Sequence, residues 1–490
     1  MPQVNFGEWL PDQPETINQG VTVAKNCVPA ANGYRSIKAL APLSGAATDK
    51  LRGIVAGKDN DGNTSLFAGD ASNLYKFNAS TSALDDVTQA ATTHSLQDGE
   101  RWRFVQFGET MIAAGGTGEA LQKFTLGSDT AFSDLGGSPP KADYIAVVRD
   151  QVWLASIDEG SGKIPFRTRW SGINDETSWT VGTDQSDFQD IFGGDSGAIT
   201  GLAGGEFATI LMERGIAVAQ YVGSPLIYQI DLVETSRGCA VPQSVVSMGA
   251  NTYFLSDDGF YRFDGRSAQP VGAEKVNRWF WDKADSQYLE NMSAAIDPRR
   301  QLVAWAFTSV DSVGGLADYI LFYNYALNRW SYAVYSDIEI LAALYTGGYT
   351  LDDLDNISAT LDGLNIQFDD PALQGGEFFF GGGKDKKIQT FTGSIVNGVI
   401  ETPEAVLAQG RHSIINRTVP YFENGSVNVQ ISTRNLQNAA QSFSTASNLN
   451  TNGFCEHRAQ GRFHKVRMNL TGNWTFAQGV DIEHKPLGTR

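Results

Sequence analysis

Residues 251–272 read NTYFLSDDGFYRFDGRSAQPVG, and they restrict the fold more than any other stretch. Tyr253, Phe254 and Leu255 open an aromatic, apolar strand. Asp257-Asp258-Gly259 is a turn, because glycine tolerates the positive φ that a tight hairpin demands. On the return strand Tyr261 and Phe263 share one face at period two, with Phe260 and Arg262 on the other. Asp264-Gly265 turns again, and 267–271 reads as a further short strand. The result is an antiparallel meander of about twenty residues. One meander cannot bury its own apolar face, so the rest of the chain has to supply neighbours.

The same rhythm of apolar strand, Gly/Asp/Ser turn and aromatic strand recurs. Ile54-Val55-Ala56 leads through a turn-rich loop to Ser65-Leu66-Phe67-Ala68-Gly69 and then Leu74-Tyr75-Lys76-Phe77. Met111 to Ala114 precedes Leu121 to Phe124, and Val152 to Ala155 precedes Phe166 to Trp170. Ile210-Leu211-Met212 runs into 216–222, 302–307 suits pairing with 319–323, and 324–328 turns into 329–333. Phe378-Phe379-Phe380 is expected to pair with 387–391 across a turn at Gly381-Gly382-Gly383. The copies start about 40 to 60 residues apart, a spacing suited to propeller blades of four short strands. The expectation is therefore an all-β chain, a β-propeller of six or seven degenerate four-stranded blades. A run of sandwiches is the rival, and the regular recurrence argues against it.

Three regions break the pattern. Residues 1–50 are expected to form an irregular N-terminal arm, and the propeller to span 51–400. Within it, 274–283 carries Val276, Trp279 and Phe280 at helical spacing and reads as one short helix. Residues 350–364 read TLDDLDNISATLDGL, whose Leu351, Leu354, Ile357, Leu361 and Leu364 mark one face of an inserted helix. Residues 401–490 contain strictly alternating stretches at 427–432 and 463–470 and read as a smaller β domain or added sheet.

Composition narrows the partners. With 55 acidic and 37 basic side chains the formal net charge is −18, which excludes free binding of nucleic acid through a basic surface. An acidic wall around a confined passage is a different case, because it would keep DNA from sticking. The N-terminus has no charged and apolar leader pattern, and no apolar run suits a bilayer span. Cys27, Cys239 and Cys455 are too far apart and too few for a disulfide framework or zinc spacing.

No motif assigns catalysis, and no catalytic, cofactor-binding or metal-ligating residue is named from the sequence. Cys455, His457 and His464 lie close enough to raise a metal site, but unrelated strand positions are the favoured reading. Asp59, Asp61 and Asn63 echo a calcium loop that lacks its bidentate glutamate, so a hairpin turn is favoured. The stretch from Ser171 to Trp179 faintly resembles an Asp-box turn of sialidase propellers without its glycine, and a turn burying Trp179 is the simpler reading. A glycosidase carboxylate pair would be formed in space and is invisible at this level.

Four groups of residues resemble the tail proteins of short-tailed bacteriophages. They are Phe6-Gly7-Glu8-Trp9-Leu10-Pro11-Asp12 with Asn26, Pro29, Gly33 and Tyr34; Arg169-Trp170-Ser171 with Trp179; the Leu351 to Leu364 segment; and Gly461-Arg462-Phe463-His464-Lys465-Val466-Arg467. The family that joins this resemblance to a propeller is the podovirus tail nozzle, also called tail tubular protein B or tail stabilisation protein. It implies a structural, non-enzymatic virion protein without cofactor, assembled in the bacterial host cytoplasm. It also implies a homohexameric ring below the portal and adaptor, contacts with tail fibres or spikes, no stable membrane insertion, and a lumen that retains and then conducts genomic DNA without reading its sequence. Six chains at −18 each would carry about −108, enough to keep a polyanion from adhering if much of it faces the lumen. Trp9 either bridges neighbouring subunits as an aromatic anchor or caps its own propeller. The alternatives are a tail-associated propeller that binds surface glycans or a receptor, and a sialidase- or glycosidase-like hydrolase.

Overall fold

The 251–272 stretch folds as its alternation predicts. In the computed structural model, which describes residues 3–15, 17–346, 376–377 and 381–488, Asn251–Ser256 pairs antiparallel with Gly259–Phe263, and that strand pairs with Ala268–Pro270. Val246–Met248 completes a four-stranded sheet on the other side. Ser256 sits opposite Gly259, so Asp257 and Asp258 make the turn and Gly259 begins the return strand. Gly259 has φ +140°, and a Cβ there would lie 1.8 Å from Asn277 Nδ2. Only a glycine leaves room for that side chain.

Both faces of this sheet are buried. Phe254, Tyr261 and Phe263 pack with Leu211, Ile216 and Val218 of the sheet before it. Phe260 points the other way, its ring 4.7 Å from Trp305 and 5.4 Å from Trp330 in the sheet after it. Each such side chain contributes about 1.5–3 kcal/mol when fully buried. A sheet covered on both sides by other sheets is one blade of a propeller.

Five four-stranded sheets stand alone: those beginning at Gly53–Lys58, Arg103–Phe107, Lys141–Val148, Ile199–Ala203 and Val246–Met248. They are blades one to five. Blade six is Ser293–Asp297, Leu302–Phe307, Ala317–Asn324 and the first half of Arg329–Ala342. The second half of that long strand bends away and pairs with Gly381–Lys384. Lys387–Thr390 follows, and Ala41–Pro42 is added outermost. This is blade seven. The first strands of most successive blades pack side by side around the axis, blades four and five meet through their sheet faces, and 338–342 closes the circle against blade one. Among the described residues this makes a seven-bladed β-propeller whose last blade is completed by residues from near the beginning of the chain.

The glycine run was expected to be a turn. It is a strand, and the turn is Asp385 (φ 55°) and Lys386 (φ 61°). The glycines are there because the strand passes too close to its surroundings for side chains. A Cβ on Gly381 would meet Leu344 Cδ1 at 2.1 Å, and one on Gly382 would meet the Ile340 carbonyl at 2.3 Å. Residues 378–380, expected to pair here, and the helix expected at 350–364 lie outside the described residues. The short helix is present as Asn277–Lys283, and among the described residues no helix is long and apolar enough to cross a membrane.

The smaller β domain is a two-sheet sandwich built from both ends of the chain. One sheet holds Gln3–Asn5, Cys27–Ala30, Gly33–Ser36, Phe476–Pro486, Ser413–Glu423 and Cys455–Gly461. The other runs Val23–Lys25, Gly398–Glu401, Phe463–Thr471, Ser426–Arg434 and Ser447–Asn448. The alternating stretches at 427–432 and 463–470 are partners in it, with Val429 opposite Met468. Their inward residues share a core with Ile415, Trp474, Val480 and Ile482. Lys25 also bridges to Tyr332, so this sheet is continuous with blade six. The first 40 residues, irregular between their short strands, are thus threaded through the sandwich rather than left free. Trp9 is fully buried between the helix and blade six, 4.8 Å from Trp279 and 4.9 Å from Tyr332. Of its two readings, capping its own chain is the one this packing matches.

Candidate functional site

The segments that lead into the first strands of the blades converge at one mouth of the propeller axis. Trp102 is fixed by a 2.8 Å bond from Nε1 to the Asp70 carbonyl, and its amide bonds the Arg52 carbonyl at 3.1 Å. This pins Arg101 and Arg103, on either side of it, toward the axis. Arg101 donates to the backbone carbonyls of Glu339 in blade seven at 3.1 Å and of Asn291, just before blade six, at 3.0 Å. Arg103 donates to the Asp143 carbonyl at 2.9 Å and to Gln243 Oε1 at 3.2 Å. Gln243 in turn donates to the Gly99 carbonyl at 3.3 Å. Side chains from opposite sides of the ring therefore meet across the bore.

Arg52 joins the cluster from the strap between blades seven and one. Its guanidinium donates to the Gln97 carbonyl and, at 3.1 Å, to Asp98, which Lys50 also contacts at 3.2 Å. Burial, reinforced by the charges of Arg103 and Arg52, pulls the Arg101 pKa down to about 10. Glu339 accepts the Leu51 and Lys386 amides, each at 2.8 Å, and burial pushes its carboxyl pKa up. A guanidinium held this way binds carbonyls, carboxylates or phosphates.

A second charged cluster lies on blade three. Arg167 pairs with Asp190 at 2.6 Å and Glu159 at 2.9 Å, and Arg169 pairs with Glu159 at 2.6 Å. These side chains converge, yet each of the two carboxylates is ion-paired. Beside them the 171–179 loop is a turn in which Asp175 Oδ1 accepts the Thr177 amide at 2.8 Å and hydroxyl at 2.7 Å. Trp179 is buried there and donates to the Glu176 carbonyl at 2.7 Å.

The other sequence candidates do not come together. Asp59 is a hairpin residue that accepts the Asn63 amide at 2.7 Å, and hydrogen bonding from Asn63 holds its carboxyl below the usual range. His457 hydrogen-bonds Thr418 at 3.0 Å and His464 hydrogen-bonds Ser413 at 2.8 Å. Burial pulls both imidazoles down to about 4 and pushes the Cys455 thiol up to about 11. Among the described residues no group of three His, Cys, Asp or Glu side chains could hold a metal. The axial cluster was missed by sequence reading. Arg101 and Arg103 stand two apart, but Arg52, Gln243 and Glu339 join them only through blade closure.

No protein-family model matches the sequence, and a search of curated proteins finds no match. Among solved structures, the Pan2 WD40 domain of Neurospora crassa is 7% identical with a TM-score of 0.38, covering 75% of this chain and 98% of its own. A candidate 6-phosphogluconolactonase from Bacteroides uniformis is 12% identical with a TM-score of 0.38, covering 68% of this chain and 96% of its own. An exo-β-1,3-galactanase from Phanerochaete chrysosporium is 10% identical with a TM-score of 0.26, covering 81% of this chain and 98% of its own. Likenesses at this level say nothing about what the chain binds or does.

Proposed function

We propose that this chain is a structural virion protein, a ring-forming bacteriophage tail nozzle that extends the portal and adaptor channel, holds the genome before infection and conducts it during ejection. What supports the reading is where two of the four groups that carry the family resemblance lie. Phe6, Trp9, Asn26 and Tyr34 sit near one another and near Lys465 and Arg467, far along the chain, in a single joint. Tyr34 donates to the Gly7 carbonyl at 2.8 Å, and Asn26 bonds the Val334 amide of blade six at 2.9 Å. Lys465 pairs with Glu15 at 2.9 Å and with Glu401 at 3.2 Å. Arg467 pairs with Glu401 at 2.6 Å. Asn26 and Trp9 tie this joint to blade six, while the Lys465 and Arg467 pairs brace the sandwich side of it, and such a stiffened joint suits scaffolding under load rather than catalysis. Arg101, Arg103 and Gln243 cross the bore of the propeller, so in this reading the DNA passage runs between chains, through the middle of a ring.

Electron microscopy and mass photometry of the purified protein test this. Sixfold rings are expected. A strictly monomeric protein that is also missing from purified particles would overturn the proposal.

A second reading, a glycan-binding tail propeller, draws on an open groove of about 850 Å³ on the sandwich, lined by Thr433, Phe443, Glu456, His457, Arg458 and Gln460. The Phe443 ring, with the Arg467 guanidinium 3.6 Å over one face, lies among hydroxyls and amides, the chemistry that holds sugars. Saturable binding to a glycan array, lost on Phe443→Ala with the ring absent, would favour it.

A further inference from the structure

We propose that the cleft at the axial mouth of the propeller binds one small tetrahedral oxyanion of the phosphate class, held by Arg52, Arg101 and Lys50. The cleft is lined by Lys50, Leu51, Arg52, Glu100, Arg101 and Glu339 and has a volume of about 20 Å³. That is room for a water or a single small ion, and too little for a sugar ring or a base.

The donors are in place and incompletely used. The Arg52 side chain is only 9% exposed, and its Nε is buried with no hydrogen-bond partner among the described residues. A buried N–H left unbonded is costly, more so on a charged group. Arg101 spends its two terminal nitrogens on backbone carbonyls, so its charge faces dipoles rather than a carboxylate. Burial is the larger cause of the lowered Arg101 pKa, and the nearby charges of Arg103 and Arg52 add to it. An anion in the cleft would offset the positive charge that Arg52, Arg101 and Lys50 bring to its wall.

The acids nearby are already engaged. Glu339 holds two backbone amides. Glu100 accepts the Gln97 amide at 2.6 Å. Asp98 is 83% exposed and clamps Lys50 and Arg52 from the solvent side. Glu290 acts on Arg101 through space. With these carboxylates close by, affinity is expected to be modest. The site belongs to the single chain, whatever that chain assembles into.

Isothermal titration of the full chain with sodium phosphate at low ionic strength tests the proposal. Saturable binding of one ion per chain is expected, with Kd at or below about 1 mM, weakening as salt is added. Lys50→Gln alters a side chain that is 41% exposed. It is expected to weaken binding about 3- to 10-fold with melting in phosphate-free buffer unchanged. Arg52→Gln is expected to weaken it at least about 10-fold. Thymidine 5′-monophosphate and thymidine separate the sources of the anion. Competition by the monophosphate alone would show that a nucleotide's terminal phosphate enters; competition by neither would assign the free ion, and both outcomes support the site. Absence of saturable phosphate binding to the wild-type chain would overturn it, as would binding unchanged in both variants.

Discussion

Replacing Trp9 by alanine separates an internal anchor from a subunit bridge. The indole is fully buried, its ring packs edge-on against Trp279 at 4.8 Å and tilted against Tyr332 at 4.9 Å, and Nε1 donates to the Thr22 carbonyl at 3.1 Å. Truncating a buried tryptophan costs about 3–5 kcal/mol. That range already contains the ring contacts and the hydrogen bond, so about 4 kcal/mol is expected. For a cooperative unit of about 150–250 residues, the sandwich with the blade it is continuous with, each kcal/mol moves the midpoint by about 2–4 °C, giving a drop of about 8–16 °C in that transition. Trp9→Phe keeps the ring and loses the donor, and should cost about 1–2 kcal/mol. Differential scanning calorimetry reads the midpoint, and mass photometry at a temperature below it reads assembly. If Trp9→Ala melted like the wild type while its oligomers fell apart, Trp9 would be acting between chains, and the packing argument would be refuted.

Three other outcomes can be checked. His464 is buried and its folded pKa is about 4, below its unfolded value of about 6.5. The fold favours the neutral ring, so this stability is complete above about pH 6.5 and is lost as pH falls toward 4. The loss is at most about 3 kcal/mol, and a midpoint-versus-pH series should be shallower in His464→Gln, with the share of His457 remaining. Gly259→Ala puts a Cβ 1.8 Å from Asn277 Nδ2 at φ +140°. It should destabilise by at least about 2 kcal/mol in urea titration, and a neutral result would mean the helix does not seat there. Glu339→Gln leaves one amide oxygen for the Leu51 and Lys386 N–H groups that two carboxylate oxygens now accept. A cost of about 1–3 kcal/mol is expected, together with faster hydrogen exchange at those amides, and unchanged exchange would contradict the closure described for blade seven.

The propeller was legible because its signal is local. Period-two alternation around Asp-Gly and Gly-rich turns marks each hairpin without knowledge of its neighbours, and the pairing of 302–307 with 319–323 was readable for the same reason. The seventh blade was not legible as built. Its outer strand is Ala41–Pro42, two residues with no alternation, paired with Gln389 and Thr390. The N-terminal strands are three or four residues long and show no period, so residues 1–50 read as an arm. Glycine runs are ambiguous in principle. Gly381 to Gly383 suit a turn by propensity and form a strand because of what lies above them, which no local pattern encodes. The axial arginines share this limit. Their number is visible, but their convergence depends on which loops the closed ring brings together.

Blade seven and the sandwich both join the chain's first forty-odd residues to residues beyond 386. On the ribosome those early segments emerge well before their partners exist, so they must wait, unpaired, through most of translation. Six blades can close in order as they are made; the ring and the adjoining sandwich can lock only when synthesis is nearly done. A prematurely terminated chain would therefore leave an open edge at both units at once. Completeness of the polypeptide becomes a condition for presenting a finished surface to any neighbour.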